Sequence, residues 1–285
     1  MERAMTRTID SHQHFWRSAV QAQPWRTEAH SALERDFEPD DLLPELDDAG
    51  IDATVVMQSV DEPAENVRLA HYAEWDRVAG VVAWVPLRDS QEAGAELARL
   101  NISKLCGVRS LIATDPLEWL TEPDSIAFFR EVADRGLAWD VVPITEAQTR
   151  QVIALSQRIP ELRIVVDHLG RPPIDSGGWE PWARNMRELA GSPGVAVKVS
   201  IGIDVLTAWR AWDGNALERY VAYVSEHNGA RRLMLASNWP VVLLRATYAD
   251  AWHDLRALSF AQFPDEGDRT ELAGGTAERW YRLGS

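Results

Sequence analysis

Residues 163–172 read Arg163-Ile164-Val165-Val166-Asp167-His168-Leu169-Gly170-Arg171-Pro172. A short, apolar, β-branched run ends in two ionisable residues, and glycine and proline then force a turn. A strand with one wet face alternates apolar and polar residues. An uninterrupted apolar run is buried on both faces, as parallel strands are. Working outward, runs of the same kind fall at Thr8–Asp10, Ala53–Gln58, Gly80–Pro86, Cys106–Ile112, Ala138–Pro143, Val195–Val199 and Leu233–Ser237. Together with Arg163–Asp167 they make eight, with starts 25 to 45 residues apart. A strand of about 5 residues, a helix of about 12 and two loops need that spacing.

Helix signals fill the intervals. Pro123-Asp124-Ser125 opens an apolar stripe of Ile126, Phe128, Phe129 and Val132 that Gly136 stops, and Pro39-Asp40-Asp41 opens Leu42–Ala49 with Gly50 as its stop. Thr145–Ile159 and Ala216–Asn228 read as two more helices. Eight strand–helix units without a long linker predict a single (β/α)8 barrel, one domain over residues 1–285. The alternative, a doubly wound open sheet, lacks its Gly-x-Gly-x-x-Gly turn after the first strand.

The composition sets limits on function. The 285 residues are 46% hydrophobic and 26% charged, which is ordinary for a globular chain. A net charge of −15 repels phosphate backbones and anionic membranes, so neither nucleic acid nor membrane is an expected partner. The one cysteine, Cys106, has no partner for an internal disulfide, and no signal-peptide stretch or long apolar span occurs. The expectation is a cytoplasmic protein; homo-oligomerisation stays open. Only two lysines but thirteen tryptophans are present.

Barrel enzymes carry their chemistry at the C-terminal ends of the strands. The first run leads into Asp10-Ser11-His12-Gln13-His14-Phe15-Trp16, and two histidines two apart on an extended chain project to one side. Such a pair suits a metal or a cradle for a carbonyl oxygen, with a loop pair as the bland alternative. His168 arrives at the same rim from the sixth strand and tips that balance. The eighth ends in Ser237-Asn238-Trp239-Pro240, the fourth brings Arg109, and the seventh holds Lys198 in an apolar run. A charge there is costly unless it is paired or lines a polar site. Asp140, on the fifth strand, is available to bind a hydroxyl or to neutralise Arg109.

These strand ends, with Arg35-Asp36-Phe37, Gly80-Val81-Val82-Ala83-Trp84-Val85, Gly107-Val108-Arg109, Val166–Pro172 and Ser237–Val241, resemble the amidohydrolase superfamily. Within it the chain resembles the sugar lactonases, the group that includes fuconolactonase and rhamnonolactonase. The resemblance runs from residue 9 to 241 and implies an amidohydrolase-type barrel that hydrolyses a lactone, the internal ester of a sugar acid. It implies that His12, His14 and His168 surround the lactone carbonyl, in some relatives by holding one divalent metal such as zinc and in others without one. The family pattern has an aspartate in the eighth-strand motif to take a proton from water; here that position is Asn238. Three readings stay open: a subgroup whose base lies elsewhere, a weak or non-catalytic sugar-acid binder, or a substitution introduced to trap substrate. The wider superfamily's two-metal set needs a lysine or glutamate on the fourth strand and a histidine on the fifth. Arg109 and Trp139-Asp140 stand there instead, so one ion or none is expected.

Trp16, Trp25, Trp139 and Trp239 lie at or beyond strand ends and are candidates to pack on a sugar ring, and Arg109, Asp140 and Lys198 to bind its polar groups. Residues 17–36 form a long connection of the kind that serves as a lid or binding loop. His30 within it reads as a surface histidine. The rival activity is metal-dependent decarboxylation of a small unsaturated acid, found in neighbouring branches of the superfamily.

Overall fold

The computed structural model describes residues 7–284. Eight parallel strands run in sequence order around one sheet: β1 (Ile9–Gln13), β2 (Ala53–Met57), β3 (Val78–Trp84), β4 (Leu105–Arg109), β5 (Ala138–Val141), β6 (Arg163–Val166), β7 (Val195–Val199) and β8 (Leu233–Leu235). The ring closes through a parallel bridge between Gln13 and Trp239, with His14 N donating to Trp239 O at 2.8 Å and Asn238 N to His12 O at 2.9 Å. All eight predicted runs overlap a strand.

The predicted ends differ from the observed ones at every strand but β7, and two of the differences have a visible cause. β4 stops at Arg109 rather than Ile112 because the Leu111 amide is taken by the Asp61 carboxylate, 3.1 Å from both oxygens. β8 stops at Leu235 rather than Ser237 because the Ser237 amide donates to Asp10 Oδ1 at 2.9 Å. At the mouth, side-chain acceptors thus replace ladder partners.

Around the barrel lie α1 (Pro39–Ala49), α2 (Pro63–Tyr72), α3 (Ser90–Arg99), α4 (Pro123–Asp134), α5 (Glu146–Arg158) and α6 (Trp182–Ala190). They are followed by α7 (Ile203–Ala208), α8 (Glu218–Asn228), α9 (Tyr248–Ala261), α10 (Glu266–Thr270) and α11 (Thr276–Tyr281). Their ends obey local rules. Pro39 and Pro123 occupy first helical positions, Gly50 stops α1 at φ 65°, and Thr145 and Gln148 form a reciprocal cap on α5. None of the described helices is long and apolar enough to cross a membrane.

Two apolar regions result. The larger lies between strands and helices and includes Trp16, Trp139 and Trp239. The smaller fills the barrel's lumen with Ile9, Val55, Val82, Cys106, Val165 and Met234, and Trp280 and Tyr281 of α11 close it from below. Burial of this kind stabilises by roughly 25 cal/mol per Å² of apolar surface, so it dominates the fold. The polar residues of the lumen sit above that floor.

Candidate active site

The histidine pair owes its direction to a defect. Ile9 faces the lumen, while Asp10 faces outward and accepts from Tyr248 of α9 at 3.0 Å. Strict alternation would then point Ser11 and Gln13 inward and both histidines out. Between Asp10 and Gln13, however, β1 carries one residue more than β2 in the pairing register. This bulge reverses the faces and turns His12 and His14 into the barrel. Asp10 holds it in place: Oδ1 accepts from His12 N at 3.2 Å and from Ser237 N, and Oδ2 accepts from Ser237 Oγ at 2.6 Å.

Beneath the histidines, Lys198, Asp140 and Asp167 are fully buried. Lys198 Nζ lies 2.7 Å from Asp140 Oδ2 and 3.2 Å from Asp167 Oδ1, and Arg109 Nε lies 3.1 Å from Asp167 Oδ2. Two cations meet two carboxylates, so the layer is neutral as a whole. Arg109 also donates to the backbone and side-chain oxygens of Gln58, and Tyr281 donates from the barrel floor to Asp140 at 2.5 Å. Burial alone would raise the Asp167 carboxyl, but Lys198 and His12 overcome it and hold it well below its usual range. Asp140 goes the other way: burial, aided by the Asp167 charge and opposed by Lys198, lifts it to about 6.

The rings above are neutral. Burial, with Arg109 beside it, lowers His14 to about 3, and burial lowers His168 to about 3. Burial also takes His12 well below 6.5, against the pull of Asp167. His14 Nδ1 donates to Met57 O at 3.1 Å, which leaves the lone pair on Nε2, 3.1 Å from His12 Nε2. His12 Nδ1 faces both Asp167 Oδ1 at 3.2 Å and Lys198 Nζ at 3.3 Å. If its proton goes to Asp167, two bare Nε2 lone pairs converge on one point. Two nitrogens bound to one tetrahedral zinc at about 2.0–2.1 Å lie at close to this separation. If Lys198 donates instead, the His12 Nε2 proton bridges the pair and no cation is needed. His12, Asp167 and His168 also bring ligand atoms within 4.8 Å of one another, so the donor set fits a single divalent ion.

At the mouth, His14, His168, Arg109, Asn238 and Trp25 line a cavity of about 270 Å³. Asn238 sits in the left-handed region at φ 57°, and its amide nitrogen donates to Ile201 O at 2.8 Å. After β6 the chain makes a left-handed turn: His168, Leu169, Gly170 and Arg171 have φ of 55°, 52°, 64° and 53°. Each non-glycine residue there costs roughly 1–2 kcal/mol, which the surroundings must offset. Trp182 Nε1 donates to Leu169 O at 2.7 Å, and Ser200 Oγ fixes His168 Nδ1 at 2.8 Å. The turn sets His168 and Arg171, three residues apart, on the same cavity.

Several sequence expectations need correction. Trp16 and Trp239 are buried, packing on Phe37 outside the cavity, and Trp139 points away from the lumen onto Phe129. Trp139 and Trp239 each adjoin an inward-facing residue and so face the opposite side, while Trp16, beyond the end of β1, follows Phe15 into the outer core. Of the four tryptophans, Trp25 lines the cavity, with Nε1 donating to Ser59 O at 2.9 Å. Asp140 neutralises Lys198 rather than Arg109, and neither Asp140 nor Lys198 lines the cavity. His12 lies just beneath it, fully buried. His30 is buried too, bonding Thr207 Oγ1 of α7 at 2.8 Å and pinning the long first loop. Sequence reasoning did not single out Asp167 as a ligand candidate, nor Arg171 and Asp204 as cavity residues. Asp167 had a signal, an ionisable residue at the end of an apolar strand; Asp204, in an unremarkable helix start, had none.

The amidohydrolase family profile matches residues 9–283. The chain belongs to the amidohydrolase family. Within it, an L-fucono-1,5-lactonase of Burkholderia ambifaria is 35% identical over 98% of this chain and 97% of its own length. A second L-fucono-1,5-lactonase, from Burkholderia multivorans, is 33% identical over 96% of each chain. Among solved structures, an amidohydrolase of Burkholderia multivorans with bound zinc superposes with a TM-score of 0.86 at 29% identity, covering 98% of this chain and 99% of that one. The barrel is therefore of amidohydrolase type.

Proposed function

We infer that this amidohydrolase hydrolyses the lactone of a sugar acid, of the L-fuconolactone or L-rhamnonolactone kind, to the open aldonic acid. The observation that carries the reading is the meeting of Arg109 with the neutral His14 and His168 on one small cavity. About 270 Å³ suits a single ring rather than a chain of sugars. The two fuconolactonases, alike over nearly their whole length, favour hydrolysis over decarboxylation.

Attack of water on the carbonyl carbon moves charge to the carbonyl oxygen, and a fixed cation in a dry site stabilises that charge without reorganising. Arg109 is such a cation, held by Asp167 and Gln58. His14 and His168, locked through Met57 and Ser200, present neutral imidazoles to the reacting group. Lys198 and Asp140 balance charge below, and Trp25 offers an aromatic face to the ring. His12, His14 and His168, with Asp167 beside them, would hold a divalent ion such as zinc, which supplies Lewis acidity toward a carbonyl. The reading takes residues 1–285 as one barrel domain, and the lone buried Cys106 supports a cytoplasmic setting.

The test is a panel of 1,5- and 1,4-sugar lactones followed with a pH indicator, with and without chelator, alongside metal analysis. Turnover of a 6-deoxy sugar lactone is the expected result, and no turnover across the panel overturns the reading.

A further inference from the structure

The geometry points to the Arg171–Asp204 pair as the element that recognises the hydroxyl groups of a lactone ring, an inference that rests on the lactonase reading above. Arg171 Nη2 and Asp204 Oδ2 lie 2.9 Å apart, and both side chains line the cavity that His168 and Arg109 share. They are 31% and 38% exposed, open enough for a ligand to reach. An ion pair this exposed adds about 0–1 kcal/mol to stability, so the fold alone gives little reason for it.

Its placement is built rather than incidental. Arg171 reaches the cavity only because the left-handed turn sets it beside His168. Asp204 sits against Gly202, where a Cβ would fall 2.8 Å from Asp204 Oδ1 and 3.7 Å from both Arg171 Cγ and His168 Cβ. A side chain at 202 would therefore push the carboxylate out. Ile201, next to that glycine, takes the Asn238 amide hydrogen bond, so one loop after β7 ties the pair to the reacting end of the cavity.

The chemistry suits a polyol. Asp204 is the carboxylate among the described cavity-lining residues; its Oδ1 is buried against Gly202 without a hydrogen-bond donor, which leaves Oδ2, beside Arg171, as the oxygen a ligand can meet. Arg171 spends Nη2 on Asp204 and leaves its remaining guanidinium protons for acceptors. The carboxylate accepts from one ring hydroxyl while the guanidinium beside it donates to the next, and charge-assisted bonds of this kind are the stronger ones. The β4 and β5 ends supply an apolar contrast in Leu111, Ile112, Ala113 and Val142. The cavity is thus two-sided, fitting a ring with vicinal hydroxyls along one edge and carbon along the other.

The experiment compares L-fucono-1,5-lactone with δ-valerolactone, which has the ester but no ring hydroxyls, in wild type, Asp204→Asn and Arg171→Met. The expected result is a loss of about tenfold to a hundredfold in kcat/KM for the sugar lactone, carried mainly by KM, the weight of one or two charge-assisted hydrogen bonds. δ-Valerolactone should change by no more than about twofold, since it loses no bond. Equal losses on both substrates would overturn the proposal by assigning the pair to the chemical step or to folding, and circular dichroism of the variants separates those two. No loss on either substrate would overturn it as well. Wild type hydrolysing neither would instead defeat the lactonase reading, and the proposal with it.

Discussion

At position 238 the amide nitrogen is turned toward a backbone carbonyl, and only its oxygen is left to face a substrate. An amide oxygen can orient water but cannot take its proton near neutral pH. In Asn238→Asp, an oxygen facing Ile201 O at this distance would be repelled, so the carboxylate turns toward the cavity. A positioned general base contributes about 10²–10⁴-fold. We therefore expect Asn238→Asp to raise kcat on a sugar lactone by about tenfold or more, and to add an acid limb to the kcat–pH profile that the parent lacks. A variant no faster than its parent would mean that position 238 is not where the base belongs. Much at this scale was legible beforehand: His12, His14, His168 and Arg109 stand out as ionisable residues at the ends of apolar runs. The tryptophans misled because nearness in sequence to a histidine does not fix a face. Neighbours on a strand point opposite ways, and three of the four went to the outer layer.

Elements show where prediction succeeds and stops. Strands buried on both faces are written as unbroken apolar runs, so all eight were visible. The bulge in β1 was not, because what holds it is Asp10 bonded to Ser237 and Tyr248, 227 and 238 residues away. The left-handed turn after β6 left only the trace of Gly170 and Pro172. That turn gives a direct test. Gly170 has φ 64°, and a Cβ there would lie 2.5 Å from Met186 Sδ. Gly170→Ala should cost about 1–3 kcal/mol in chemical denaturation, from strain plus overpacking. It should also weaken turnover, because His168 and Arg171 ride on the same turn. A variant of parental stability would show that the turn relaxes into another conformation.

The molecule as a whole pays for its neutral histidines in acid. Folding lowers His14 and His168 from 6.5 to about 3, so as pH falls the unfolded chain takes up their protons first. Their contribution is complete above 6.5 and is lost between 6.5 and 3, at about 1.4 kcal/mol per pH unit for each ring. Asp140, raised from 3.8 to about 6, opposes this over part of the window, one group against three, since His12 is lowered as well. The metal-free protein should therefore melt at a lower temperature at pH 5 than at pH 7, and His14→Gln with His168→Gln should flatten the dependence. A Tm that holds or rises on acidification would refute the neutral assignment. The pairing of Tyr281 with Asp140 across 141 residues has a further consequence, for biosynthesis. Translation delivers Asp10 and Asp140 long before Ser237, Tyr248 and Tyr281. Until those arrive Asp10, on the outer face of β1, and Asp140, in the lumen beside Lys198, each lack a donor that the folded chain gives them. The barrel therefore closes late, and a pause in translation between β7 and β8 would leave a chain with seven strands made and without the Gln13–Trp239 bridge that closes the ring.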